Sequence, residues 1–325
     1  MARHKTNLLI GATGFIGSNL ANDLASKGEK VIGTYLNQPS RGRFHPKVKL
    51  VRCDVTKRLS VNKLLRKVHP DFLFFLAAQS SVRQAWLEPV KTFQVNLLGG
   101  VHLLKELHAL QSKARIIIFS SGTCYGSSHR DGFPVPEEAC LNPKDPYSVS
   151  KASLDLLSRS FAAVYGLDVM VLRLSNISGP GQSEHFSIAN FTSQLAARET
   201  GKQKGIFQVG NLNAKRDFLD LRDALSAIQS IRFKGKRGEA YNLSSGKALS
   251  LRSILKRLIG MTSLKSTKMN IVVNQNLMSK YEIPEMTLDN RKIKKTANWR
   301  PNTPLDVTLR DMLNEWRMKY GRFKS

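Results

Sequence analysis

With 325 residues and 41% hydrophobic side chains, the chain is long enough to bury a sizeable core, and its composition excludes a disordered polymer. Three cysteines, Cys53, Cys124 and Cys140, supply neither a disulfide framework nor the paired spacing of a metal site, which points to a reducing, cytoplasmic setting. The formal net charge of +27 attracts anions, but Lys and Arg are dispersed from Arg43 through Lys63 and Arg66 to Lys292, Lys294 and Lys295. Without a basic tail or an aromatic-interleaved motif, a solvated basic surface is expected, with steering of a phosphate-bearing substrate as a partial benefit, and a nucleic-acid function is not. The apolar run 8–10 is too short for a secretory core, and no stretch approaches the roughly 20 apolar residues of a membrane span.

Apolar, β-branched runs alternate with helix-length amphipathic segments through the first half. Strands are predicted at 8–11, 31–35, 48–52, 71–76, 114–120 and 169–174, and helices at 15–27, 61–68, 95–111 and 146–165. After Arg173 the rhythm breaks into loops rich in Gly, Ser and Asn, followed by helical pieces near 251–259 and 305–320. The expected fold is α/β: a Rossmann-type, doubly wound parallel sheet over 1–172, joined by a later returning segment near 214–243. A smaller α+β substrate lobe occupies most of 173–325.

The segment Gly11-Ala12-Thr13-Gly14-Phe15-Ile16-Gly17 lies between the first strand and the first helix. Glycines there allow a tight turn and let backbone amides approach a dinucleotide pyrophosphate at the positive end of the helix dipole. Nicotinamide cofactors are usually told apart after the second strand, where a carboxylate binds ribose hydroxyls and a basic group a 2′-phosphate. Here Gly33-Thr34-Tyr35-Leu36-Asn37 holds no acid and Arg41 and Arg43 follow, which leans towards NADP(H) over NAD(H); both arginines also read as solvated loop residues. Asp54, past the third strand, suits either an adenine amino group or a strand-end cap.

Tyr147 and Lys151 stand four apart in a helix opened by Pro146, so they share a face. An ammonium near a phenol favours the phenolate, which would bring its pKa from about 10 towards the working range. Ser121, at the carboxyl end of a buried strand, is placed to hydrogen-bond a reacting oxygen.

The glycine triplet, Leu76-Ala77-Ala78-Gln79-Ser80-Ser81-Val82, Asn96, Ser121 before Tyr125-Gly126, and Tyr147 with Lys151 together resemble the extended short-chain dehydrogenase/reductases over nearly the whole chain. The resemblance implies catalytic roles for Ser121, Tyr147 and Lys151. It also implies cofactor contacts from Gly11 through Gly17, from Val55 beside Asp54, from Leu76, Ala77, Ala78 and Gln79, and from Asn96, which helps order the site. Arg173-Leu174-Ser175-Asn176 and Gly210-Asn211-Leu212-Asn213-Ala214-Lys215-Arg216-Asp217-Phe218 are similar to segments with which GDP-sugar enzymes hold the diphosphate. Tyr241-Asn242-Leu243 and Asp289-Asn290-Arg291-Lys292 complete a likeness to GDP-4-keto-6-deoxy-D-mannose reductases and, nearly as well, to GDP-mannose 4,6-dehydratases.

Three departures from that pattern matter. Dehydratases carry a Glu where this chain has Thr123, so elimination of water is disfavoured. Ser279-Lys280 replaces an expected Arg, leaving Lys280 to supply the charge beside Glu282. Phe75 stands where many epimerases have His. The implied function is reduction of a GDP-4-keto-6-deoxyhexose, with substrate contacts from Ser80, Ser121, Thr123, Asn176, Gly210, Asn211, Lys215, Arg216, Lys280 and Glu282, no metal, and a homodimer formed through the helices near 95–111 and 146–165. The alternatives are a nucleotide-sugar 4-epimerase with tightly bound NAD and, in another class, a non-catalytic NAD(P)-sensing regulator.

Overall fold

A computed structural model of the chain describes residues 5–40, 42–126, 134–264, 269–278 and 281–321. β1 (Thr6–Ile10) leads into α1 (Phe15–Ser26), followed by β2 (Lys30–Tyr35), β3 (Val48–Arg52) and α2 (Arg58–Val68). β4 (Phe72–Phe75) precedes the short α3 (Val82–Leu87) and α4 (Pro89–Phe93), which passes through a π-helical turn at Gln94–Leu98 into α5 (Gly99–Ala109). β5 (Arg115–Ser121), α6 (Pro146–Tyr165) and β6 (Val169–Leu174) complete the first half. Then come β7 (Asn176–Ser178), α7 (Ser187–Glu199), β8 (Phe207–Val209), β9 (Lys215–Asp220), α8 (Leu221–Lys234) and β10 (Ala240–Leu243). β11 (Ala248–Ser250), α9 (Leu251–Gly260), β12 (Ile271–Val273), β13 (Glu285–Met286), α10 (Arg291–Ala297) and α11 (Leu305–Lys319) follow.

Seven strands form one parallel sheet in the order β10-β6-β5-β4-β1-β2-β3, the doubly wound α/β arrangement expected from the sequence. Its two faces follow from the two-residue period of a strand. Leu8 and Ile10 pack with Val61, Leu64 and Leu65 of α2 and Leu103 and Leu107 of α5, while Leu9 faces Leu20 and Leu24 of α1 and Ile228 of α8. Each such fully buried Leu or Ile contributes about 2 kcal/mol of apolar transfer. In α2 the apolar spacing buries Val61, Leu64 and Leu65, and His69, at φ 44°, ends the helix before Pro70.

Strand order reverses between β1 and β4, which opens a crevice at the carboxyl ends of the strands. A second, smaller layer stands beside it. β9 pairs with β7, β11 and β13, β8 pairs with β12, and α7, α9 and α11 close a core around Phe207, Val209 and Phe218. The segment from Leu221 returns to the large sheet, where α8 joins the α1 face and β10 pairs with β6. Helices α7 and α8 are not among the helices predicted from the sequence, which places helical pieces after Arg173 only near 251–259 and 305–320. α7 carries Ser, Asn and Thr of modest helix propensity, and the burial of Ile188, Phe191 and Leu195 against the lobe core overrides that.

Candidate functional site

The turn after β1 is shaped by close approach. Gly11 has φ +89°, and a Cβ there would lie 2.5 Å from the Ala77 backbone nitrogen; at Gly17 a Cβ would lie 2.5 Å from the Gly11 carbonyl oxygen. Only hydrogen fits at either place, so α1 starts directly against the end of β1 and against the Leu76-Ala77 segment after β4. Gly14 is the N-cap of α1 and no acidic side chain occupies its first turn, so the helix presents free amides and uncompensated positive dipole charge to the crevice. The site fits a pyrophosphate on this geometry.

Beyond β2, Thr34 accepts a hydrogen bond from the Gly11 amide at 3.0 Å, anchoring the second strand to the glycine turn. Arg43 lies over α1, 3.5 Å from the Ser18 hydroxyl, and its carbonyl accepts from Asn22 at 3.1 Å. Arg41 lies outside the described residues. The Asp54 Oδ1 caps its own turn, accepting from the Thr56 amide at 3.0 Å and the Thr56 hydroxyl at 2.7 Å. Val55 is buried and its carbonyl is 3.0 Å from His102 Nδ1.

Asn96, fully buried, sits in the π-helical turn. Its side-chain Oδ1 accepts from the Gln79 backbone amide at 2.8 Å, and its side-chain Nδ2 donates to the Gln79 backbone carbonyl and the Ser150 hydroxyl, both at 3.0 Å. Ser150 in turn donates to the Tyr147 carbonyl at 2.7 Å. One side chain therefore couples the segment after β4 to the first turn of α6, and the widened π turn is the local distortion that aims it.

At the start of α6, Asp145 is the N-cap and accepts from the Ser148 amide at 2.9 Å, while Pro146 fills the first helical position. This sets Tyr147 beside Ser121. Burial pushes the Tyr147 phenol above its ordinary value, and Cys124 and Asp145 add to the rise, while Ser121 opposes it. Burial likewise brings Lys151 down to about 8. Its ammonium donates to the Phe119 carbonyl at 2.7 Å. The lowered phenol expected from the Tyr147 and Lys151 spacing is therefore corrected: burial raises it.

Thr123 stands within this cluster. Its hydroxyl lies 2.9 Å from Ser121 Oγ and 2.9 Å from Ser148 Oγ, and Ser148 contacts Asp145 Oδ2 at 2.6 Å. Asp145 and Ser148 were not among the residues singled out from the sequence. The available signal was an Asp-Pro helix start with Ser three residues on, which reads as capping rather than chemistry.

Behind this cluster, Arg173 is 1% exposed and makes a bidentate pair with Asp155, with Nε to Oδ2 at 2.7 Å and the second contact at 3.1 Å. It also donates to the Tyr125 hydroxyl and the Glu137 carbonyl, both at 2.8 Å. These bonds clamp α6 to β6 and to the Tyr125 turn.

Ser121 is in register with Leu174, so Asn176 in β7 begins the smaller layer two residues beyond the site strand. The Asn176 amide donates to the Asp217 carbonyl at 3.1 Å. On β9, Arg216 pairs with Glu282 at 2.7 Å, and Lys215 pairs with Glu285 at 3.0 Å. Burial lowers the Arg216 pKa and the Glu282 carboxylate opposes the fall. A Cβ on Gly210 would meet the Leu277 carbonyl oxygen at 2.9 Å, and Asn211 caps its own turn onto the Asn213 amide at 3.0 Å. Ser80 is exposed beside the Ser81 cap of α3. Lys280 lies outside the described residues.

The geometry thus brings Ser121 and Thr123 at the end of β5 against Tyr147, Ser148 and Asp145 at the start of α6, with Lys151 one turn along that helix. The GDP-mannose 4,6 dehydratase family profile matches residues 8–312. The GDP-6-deoxy-D-mannose reductase of Pseudomonas aeruginosa is 32% identical over 250 residues, covering 77% of this chain and 81% of that protein. A structure of RMD from Pseudomonas aeruginosa complexed with NADPH superposes with TM-score 0.83 at 28% identity, over 97% of this chain and 99% of that one. The UDP-glucose 4-epimerase of Thermotoga maritima with UDP-glucose superposes with TM-score 0.86 at 25% identity, over 97% and 99%.

Proposed function

Because this chain belongs to the GDP-mannose 4,6-dehydratase family of extended short-chain dehydrogenase/reductases, we propose that it reduces the 4-keto group of a GDP-4-keto-6-deoxyhexose. The observation that carries this reading is Thr123: a hydroxyl, engaged with Ser121 and Ser148, occupies the place where a dehydratase needs an ionisable carboxylate. The site can exchange hydrogen at carbon 4 but lacks the base for the carbon-5 proton. The reading gains support from the likeness to the Pseudomonas aeruginosa reductase.

NADP(H) or NAD(H), bound at the cradle, supplies the hydride. Gly11 and Gly17 let backbone amides of the turn and of α1 reach its pyrophosphate, and Asp54, Val55 and Leu76 to Gln79 line its path, with Asn96 holding Gln79. The absence of an acid after β2, with Arg41 and Arg43 following, supports NADP(H). Tyr147 donates its proton to the ketone oxygen as carbon 4 is reduced, Ser121 hydrogen-bonds the same oxygen, and Lys151 binds the cofactor ribose and brings positive charge beside the resulting phenolate. Ser80, Asn176, Gly210, Asn211, Lys215, Arg216, Lys280 and Glu282 hold the nucleotide and sugar, with the planar Arg216 guanidinium suited to diphosphate oxygens.

The test is direct. The purified protein, given the 4-keto sugar freshly made from GDP-mannose, oxidises NADPH or NADH, and NMR of the product shows a new carbon-4 alcohol. No cofactor oxidation sinks the reading; NAD retained through purification together with interconversion of a nucleotide-sugar would move it to a 4-epimerase. Leu98 in the π turn and Leu156, Val164 and Tyr165 on α6 are exposed apolar side chains, and they support self-association as a homodimer through the α5–α6 face, read by light scattering. Among the described residues no helix is long and apolar enough to cross a membrane.

A further inference from the structure

All seven strands of the large sheet run the same way, so every strand starts at one edge, and α1, α2, α5, α6 and α8 end there. The crevice with its glycine turn lies at the opposite, carboxyl edge. With strands about 4.8 Å apart, the amino edge is roughly 30 Å wide, and it is strongly basic. Lys5 precedes β1, Lys67 ends α2, Lys113 precedes β5, Lys234 ends α8, and Lys236 and Arg237 precede β10. All six are exposed.

The acids on this edge are already engaged. Glu29, Asp71, Asp168 and Glu239 each stand immediately before a strand. Glu29 pairs with Arg232, Asp168 with Arg115 and Glu239 with Lys292, while Asp71 accepts the Thr6 amide at 2.7 Å. The six bases, by contrast, meet carbonyls and rings. Lys234 donates to the Ala297 carbonyl at 3.1 Å, Arg237 to the Gly166 carbonyl at 3.3 Å, and the Lys5 ammonium sits 5.3 Å from the centroids of Phe72 and Phe233. Helix dipoles account for part of this charge, because each helix end carries about half a negative charge. Five such ends together with Asp71 offset fewer than four of the six, so the edge keeps a net positive field even before its other lysines are counted.

An apolar element lies among these bases. Phe233, 52% exposed, stands next to Lys234, and a cavity of about 620 Å³ is lined by Lys5, Phe72, Lys113 and Phe233. Phe72 and Phe233 meet edge to face, and Lys5 and Arg232 lie over both rings, so neither ring is free to stack on a nucleic-acid base. A broad basic edge with one projecting aromatic suits a phosphate-bearing bilayer surface instead, where lysines meet headgroups and an aromatic side chain enters between them.

We propose that the amino edge of the sheet is a docking surface for an anionic lipid bilayer, Phe233 entering the headgroup layer while the crevice faces away from the membrane. The charge explains attachment and the parallel topology explains orientation: a docked chain keeps its carboxyl edge open to solvent. The proposal does not depend on which nucleotide-sugar that crevice takes.

The full-length protein is mixed with phosphatidylcholine vesicles, with or without phosphatidylglycerol, at roughly 0.1 M salt, and bound protein is read by flotation. Binding is expected only with phosphatidylglycerol. Because any highly basic chain is drawn to such vesicles, two variants of equal net charge locate the contact. Lys67→Glu/Lys113→Glu/Lys236→Glu reverses the edge and should weaken binding roughly thirtyfold or more. Lys204→Glu/Lys256→Glu/Arg310→Glu reverses exposed bases of the smaller lobe and should weaken it about threefold or less. Phe233→Ala, which changes no charge, should weaken it about fivefold. Circular dichroism and urea midpoints check that each variant is folded. Absence of vesicle binding, equal losses in the two triple variants, or binding unchanged by Phe233→Ala overturns the proposal. So does tighter binding to duplex DNA at equal phosphate concentration that the edge variant abolishes, which would assign the surface to nucleic acid.

Discussion

Lys151 donates to the Phe119 carbonyl at 2.7 Å, and no carboxylate contributes to its protonation equilibrium, which burial alone draws down to about 8. A desolvated ammonium whose partner among the described residues is a carbonyl is costly to the fold, which fits the role proposed for Lys151.

Lys151 should set both a pH limb and a stability slope. Its folded pKa lies below the reference value of 10.5, so the unfolded chain binds more protons between about pH 8 and 10.5 and folding stability rises with pH across that window. Below pH 8 the buried charge costs roughly 3 kcal/mol. Lys151→Met is expected to be more stable than the parent at pH 7 by an amount of that order, with the gap closing towards pH 10 in urea titrations. Activity of the parent falls as pH rises through about 8 in the kcat/KM profile of the free enzyme, and a flat profile there contradicts the role given to the ammonium.

Tyr147→Phe removes the proton donor and little else, because the hydroxyl is a small part of a buried ring. A loss of about 10²–10⁴ in kcat is expected with KM nearly unchanged. Retained turnover in steady-state assays would remove Tyr147 from the chemistry.

Gly17→Ala tests the cradle. Its Cβ would press on the Gly11 carbonyl oxygen at 2.5 Å and the Ala12 Cα at 2.9 Å, both rigid backbone atoms, so α1 must move off the end of β1. A destabilisation of about 1–3 kcal/mol should accompany at least tenfold weaker nicotinamide-dinucleotide binding by fluorescence titration, and wild-type binding would count against the cradle.

Arg173 and Asp155 test the clamp behind the site. Asp155→Ala leaves a buried guanidinium without its carboxylate, and a loss of about 3–5 kcal/mol in urea denaturation is expected. The Asp155→Ala/Arg173→Met pair should recover part of it, because no uncompensated charge then remains.

Arg216→Lys keeps the charge and loses the planar fork. A KM for the GDP-sugar raised about tenfold, with kcat little changed, is expected from steady-state kinetics. The net charge of +27 adds long-range attraction, so KM should also rise with added salt in the parent. A kcat-only defect in the variant would place Arg216 nearer the chemistry than the diphosphate.

Local physics wrote the first half of this fold openly. Strand runs such as Leu8-Leu9-Ile10, the α2 spacing of Val61, Leu64 and Leu65, and the glycines that admit no Cβ each state their structure within a few residues. Residue chemistry likewise marked Ser121, Tyr147 and Lys151, because few side chains at a strand end or on one helix face can shuttle a proton. Helices α7 and α8 and the pairing of β9 with β7, β11 and β13 were not legible, since short polar segments acquire their form from contacts made far along the chain.

Long-range placement also decided the electrostatics. Tyr147 and Lys151 four residues apart are a property of the sequence, but the shift of each is set by how deeply β5, the Tyr125 turn and α6 bury them, and burial reversed the expectation for the phenol. The contacts of Ser121 and Thr123 with Ser148 and Asp145 depend on four side chains from two segments meeting within hydrogen-bonding distance. Sequence names the groups that can carry a proton; only packing, by excluding water, decides how tightly each of them holds it.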